Sequence, residues 1–240
     1  MPNWCQNDLE VTGPLKELKR FFKHAQSDKI DPNRFDGKPE PLDMEKFIPY
    51  PKKYKEKDEA KNRLEMQEQF ECEKADYKNM DIAQQNYFDF LNPRKSQEMK
   101  DGFNEGGYEW CVANRGTKWN FCDTGCNVDD IEDIKDAGYL QYYFQTAWSP
   151  PCPVIAKMAE MFPKLKFVLE YSETGCAFKG TMVCENGEVI EDSCREFTRE
   201  DWEEEYRECP DILQDMFPGE YDNDGNRIKK EDDNNETGDN

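Results

Sequence analysis

The chain has 240 residues, 36% of them hydrophobic, 35% charged and 13% aromatic, with a formal net charge of −21. That is enough length and aromatic content to bury a real core, yet no apolar run approaches the roughly 20 residues of a membrane helix. The opening MPNWCQNDLEV shows neither a basic segment nor an apolar one, so no secretory signal is read and a cytoplasmic location is expected.

Residues 4 to 12 alternate as a strand should, with Leu9 and Val11 on one face. Gly13-Pro14 breaks that strand and opens a helix, in which Leu15, Leu18, Phe21 and Phe22 recur at helical spacing through about His24. His24, at the end of a lysine-bearing helix, is expected to be exposed. From about residue 27 to residue 54 the chain is irregular, rich in Pro, Asp and Lys. Residues 56 to 91 then read as helical, with Leu64, Phe70, Tyr77, Met80, Tyr87 and Phe88 set among polar residues and no Gly or Pro before Pro93. Residues 28 to 107 thus read as a mostly helical insertion.

In the centre, Trp110 and Trp119 flank Asn114-Arg115-Gly116, a turn signal, and residues 117 to 122 suit a strand. Residues 139 to 148, YLQYYFQTAW, have the composition of a buried strand, stopped by Ser149-Pro150-Pro151. Pro153 fits the first turn of a helix through about Phe162, and Pro163 ends it. Residues 165 to 172 form a further strand. Residues 176 to 187 form another, closed by the hairpin dipeptide Asn186-Gly187. The order β-α-(insertion)-β-β-α-β-β is that of a ferredoxin-like split βαβ, an α+β antiparallel sheet, with one added strand. This domain is assigned residues 1–195. An acidic helical extension covers 196–217, with helices over 199–206 and 210–217, and residues 218–240 have the composition of a disordered acidic tail.

Four stretches carry a family likeness: MPNWCQNDLEVTG at the start, W-x3-NRGTKWN at 110–120, FQTAWSPPCPVI at 144–155 and FPKLKFVLEYSETGCAFKG at 162–180. In this order they are similar to the YubB-type ferredoxin-like domain family of phages and plasmids, over most of residues 1 to 187. Members of that family commonly show NWGTKWD where this chain has Asn114 to Asn120, so Arg115 and Asn120 are departures. The resemblance implies a fold and a mobile-element origin, and no transferable activity.

Ten cysteines in a reducing compartment read as free thiols. Cys122 and Cys126, with Cys111 upstream, lack the second pair that a zinc site needs, and the single histidine, His24, is distant in sequence. No clustered cysteine run supports an iron–sulfur centre, so neither metal nor cofactor is expected. No catalytic motif appears, and no catalytic residue is assigned.

Three readings of function remain. The charge is uneven: residues 185–240 hold 21 acidic and 6 basic residues, against 32 and 26 in residues 1–184. An acidic scaffold attracts basic proteins and repels phosphate backbones, so direct nucleic-acid binding is disfavoured. The leading expectation is a non-enzymatic inhibitor that occupies the basic, nucleic-acid-binding surface of a host or defence protein through Glu200, Asp201, Glu203, Glu204 and Glu205. Counter-defence, for example anti-CRISPR activity, fits that charge and the family likeness. A second reading is a small-ligand or nucleotide pocket of Trp110, Asn114, Lys118, Trp119 and Trp148. The third is a single-strand nucleic-acid binder that stacks bases on Tyr139, Tyr142 and Phe144. The sequence leaves the oligomeric state open.

Overall fold

A computed structural model describes residues 3–30, 37–222, 224 and 226–228. Strand β1 (Trp4–Thr12) runs into helix α1 (Leu15–Ala25). Helices α2 (Lys52–Lys74), α3 (Ile82–Leu91), α4 (Lys95–Glu98) and α5 (Tyr108–Arg115) then precede β2 (Cys122–Cys126). After α6 (Ile134–Ala137) come β3 (Leu140–Ala147), α7 (Cys152–Met161), β4 (Lys166–Glu173), β5 (Phe178–Glu185), β6 (Glu188–Glu196), α8 (Arg199–Glu205) and α9 (Pro210–Met216). The strands form one antiparallel sheet in the order β2-β3-β1-β4-β5-β6. Its first four positions are the ferredoxin-like split βαβ arrangement, in which β3 sits between β1 and β2.

Alternation along the strands decides what is buried. Cys5, Leu9 and Val11 of β1, Leu140, Tyr142 and Phe144 of β3, and Phe167, Leu169 and Tyr171 of β4 share the face covered by α1 and α7. Phe21 of α1 is the hub of that core, with ring centroids 5.1 Å from Phe162, 5.3 Å from Phe167, 5.8 Å from Phe47 and 6.0 Å from Tyr142. Each fully buried side chain of this size contributes roughly 1.5–3 kcal/mol. In contrast, α2 and α3 bury no residue at all.

Several local expectations are corrected. The helix expected over 56–91 is two helices, because Asp76 turns left-handed (φ 58°) and Asp81 starts α3 with a reciprocal capping box to Gln84. Residues 117 to 121 are not a strand. Helix α5 ends at Gly116 (φ 78°), where an added Cβ would lie 2.9 Å from the Pro150 carbonyl oxygen. The following residues are then held by side chains: Thr117 donates to the Ala147 carbonyl at 2.9 Å, and Asn120 Oδ1 accepts from the Met44 amide at 2.9 Å. His24 is half-buried, with Nε2 2.9 Å from the Lys46 carbonyl oxygen and its ring against Phe47. The hairpin turn at Asn186-Gly187 (φ 56° and 84°) leads into a sixth strand that the sequence order did not include. Packing also continues past residue 217, because Tyr221 is buried against the acidic extension; residues 229–240 lie outside the described residues.

Candidate binding surfaces on the open sheet face and its acidic edge

The face of the sheet turned away from α1 and α7 is a shallow polar trough of about 580 Å³. Gln6 and Asp8 of β1, Tyr143 and Gln145 of β3, Glu170 and Ser172 of β4, Lys179 and Thr181 of β5 and Arg195 of β6 line it. Asp8 accepts from the Gln141 side-chain amide at 3.0 and 3.1 Å. Tyr143 is half exposed, whereas Tyr142 and Phe144 are buried on the other face. The stacking platform expected of Tyr142 and Phe144 therefore does not exist. One residue of register separates a base-stacking surface from a core.

Helix α8 closes the β5–β6 end of the trough. Thr198 and Asp201 cap it reciprocally, and the Thr198 amide donates to Asp201 Oδ2 at 2.7 Å. Asp201 Oδ1 also accepts from Lys179 Nζ at 3.0 Å and from Arg195 Nη2 at 3.0 Å, while Arg195 Nη1 pairs with Oδ2. These donors, Arg195 first and the Thr198 amide next, hold the Asp201 carboxyl well below the usual carboxylate range. Asp201 is buried, and its carboxylate is engaged by Lys179, Arg195 and Thr198. It anchors the helix that carries the others.

The remaining acids divide. Glu203 accepts from the Tyr221 hydroxyl at 2.5 Å and pairs with Arg227 at 2.8 Å, which fastens Tyr221 and Arg227 back onto α8. Glu200, 3.8 Å from Arg227, is exposed. Glu204 and Glu205 are exposed and form no ion pair with a described residue. Upstream, every residue of β6 is exposed, including Glu188, Glu191, Asp192 and Glu196. The acidic surface thus begins in a strand that sequence reasoning missed. The signal was Asn186-Gly187, a two-residue turn that demands a partner strand after it.

The tryptophan motif is split in two. Lys118 Nζ lies 4.0 Å from the Trp119 ring centroid and 5.9 Å from that of Trp148, and Trp119 packs on Trp4 at 5.9 Å. Trp148 holds a left-handed backbone (φ 74°) with an exposed indole, its amide donating to the Asn3 carbonyl at 3.0 Å. Trp110 and Asn114 instead belong to α5. Trp110 packs on Tyr50 at 6.0 Å, and Asn114 Nδ2 donates to the Trp110 carbonyl at 2.8 Å. Arg115 is buried between Tyr50 and Trp110, with Nε donating to the Ile48 carbonyl at 2.9 Å and Nη2 paired with Glu45. None of the five proposed pocket residues lines the trough.

Burial pushes the thiols of Cys5 and Cys152 up to about 12, away from nucleophilic use at neutral pH. Among the described residues no group of three or more His, Cys, Asp or Glu side chains is placed to hold a metal ion, and no helix is long and apolar enough to cross a membrane.

Sheet order, helix placement and the single covered face define an α+β protein of ferredoxin-like fold. Residues 126–210, from β2 to the start of α9, match the family model described as a ferredoxin-like domain in Api92-like protein. Two of the four sequence stretches, at 144–155 and 162–180, lie within the matched residues. Among solved structures, the chain is similar to the crystal structure of a protein api92 from Yersinia pseudotuberculosis at 10% identity and a TM-score of 0.42, over 82% of this chain and 99% of that one. No curated protein matches the chain.

Proposed function

We propose that the protein is a non-enzymatic binding module that engages a basic, nucleic-acid-handling protein through its acidic edge. One observation carries this reading: the exposed carboxylates stand on ordered elements. Together β6, α8 and α9 hold 11 acidic and 2 basic residues. Acids spread only along a solvated tail would raise solubility and long-range attraction. Acids fixed on a strand and capped helices present a preorganised row of negative charge that can take the place of phosphates in a basic groove. Blocking a nuclease or a CRISPR-type effector is the outcome such mimicry leads to.

The test has two stages. Immobilised full-length protein is challenged with host lysate, and each retained protein is then offered its own nucleic acid in competition. A basic partner that is displaced by nucleic acid and released by added salt supports the reading. Partners that resist both salt and nucleic acid, and are lost on Trp119→Ala, would replace it with a second reading. That reading is a small-ligand or protein contact at Trp4, Lys118, Trp119 and Trp148, favoured by the exposed, left-handed Trp148.

A further inference from the structure

Among the described residues, strand β6 pairs with β5 along one side only and ends the sheet, and all nine of its residues are exposed. The phase of the ladder identifies its free main-chain groups. The Phe197 amide donates to the Ala177 carbonyl at 2.7 Å, which makes those two residues a hydrogen-bonded pair. In an antiparallel ladder such pairs recur at every second residue, so Lys179–Arg195 and Thr181–Ser193 are also bonded. The Ser193 carbonyl indeed points toward β5, where the Tyr171 hydroxyl reaches it at 3.2 Å. The amides and carbonyls of Asp192 and Cys194 therefore point outward, away from the sheet. A bulge at Ile190 bounds this free stretch on one side, and Arg195 Nη1, donating to the Glu196 carbonyl at 3.0 Å, bounds it on the other.

Its side chains select what can add there. Between Glu188 and Glu196 stand four acids and one base, Arg195. Like charges set directly opposite one another destabilise a strand pair, so a second copy of this edge is rejected. By register Glu191 projects on the trough side and Asp192 on the helix side, so a strand carrying Lys or Arg finds a carboxylate on either face. We propose that β6 takes up an extended, lysine- or arginine-bearing segment of a partner protein as a seventh strand. This rests on the acidic-partner reading and adds its mode: main-chain hydrogen bonds supply the contact, and charge selects the sequence.

A synthetic peptide of about ten alternating lysines and threonines, long enough to span the strand, is the probe. Added to the full-length protein, it should slow amide exchange of Asp192 and Cys194 by about tenfold or more and leave Glu191 and Ser193, already bonded to β5, unchanged. The same peptide with alternate amides N-methylated keeps its charge but cannot extend a ladder, and should give no such protection. Cys194→Pro, which removes an outward amide and no β5 bond, should weaken binding about tenfold. Should that variant fold poorly, the N-methylated arm decides. Equal binding by the N-methylated peptide, or protection by neither peptide, overturns strand addition while the acidic-surface reading stands. Equal protection by a glutamate–threonine peptide leaves strand addition intact and sinks the basic partner.

Discussion

At one edge of the sheet, β2 runs for only five residues, and its register slips between Cys122 and Gly125. The chain leading into it is tied down by Asn120, which accepts from Met44 and donates to Asp43 at 2.8 Å. At the other edge, β6 runs for nine exposed residues, and only its charges and one bulge guard it. A short, bulged, tethered edge resists pairing with anything, whereas a long one guarded by acids resists only what shares its charge. The fold thus closes one edge by geometry and filters the other by electrostatics.

The harshest test of this contrast removes what both edges share. Phe21→Ala should cost about 3–5 kcal/mol, read by urea unfolding, and both edges should lose amide protection together. Persistence of protection at β6 would mean that the β5–β6 hairpin and α8 fold apart from the core. The next test spoils the β2 edge alone. Asn120→Asp sets a carboxylate against Asp43 and removes a donor. A loss of about 1–3 kcal/mol is expected, with exchange in β6 unchanged. Asn120 is thus a local fit to Asp43.

Smaller effects should appear at the acidic edge. Asp201→Asn keeps the shape and removes the charge that binds Lys179 and Arg195, so amide exchange in α8 should quicken while β1 and β4 hold. Acid should do the same. A carboxyl whose folded value lies below its ordinary 3.8 stabilises fully above that value and loses its contribution as pH falls through the lowered one. Docking of α8 is therefore complete at neutral pH and should weaken as pH drops below about 4, as Trp202 fluorescence can follow. The least effect should follow deletion of residues 218–240, which strips Glu203 of Tyr221 and Arg227. Exchange in α8 and α9 should rise modestly, with little change in the midpoint of thermal unfolding.

The central fold was legible because alternation in β1, β3 and β4 and the apolar stripes of α1 and α7 are strong, local and consistent with one another. The acidic strand was not, because every residue of β6 is exposed and no buried alternation marks it; only the Asn186-Gly187 turn gave it away. The segment 117–121 misled for a different reason. Its Thr and aromatic residues suit a strand, but hydrogen bonds to residues far away in sequence, at Met44 and Ala147, fix it as a loop. At the candidate surface the acids were found by composition, while their division was not. Nothing in the run REDWEEE of α8 distinguishes Asp201, which is spent on Lys179, Arg195 and Thr198, from Glu204 and Glu205, which face solvent.

Association kinetics with the captured partner test the acidic-edge account most directly. Full-length protein should be compared with a Glu200→Lys, Glu204→Lys, Glu205→Lys variant, each at about 0.01 M and about 0.15 M salt, where the screening length falls from roughly 30 Å to 8 Å. The account predicts that both the added salt and the charge reversal slow association by about tenfold or more, while dissociation changes much less. Association indifferent to salt and to all three lysines, together with loss of binding on Trp119→Ala, would contradict it.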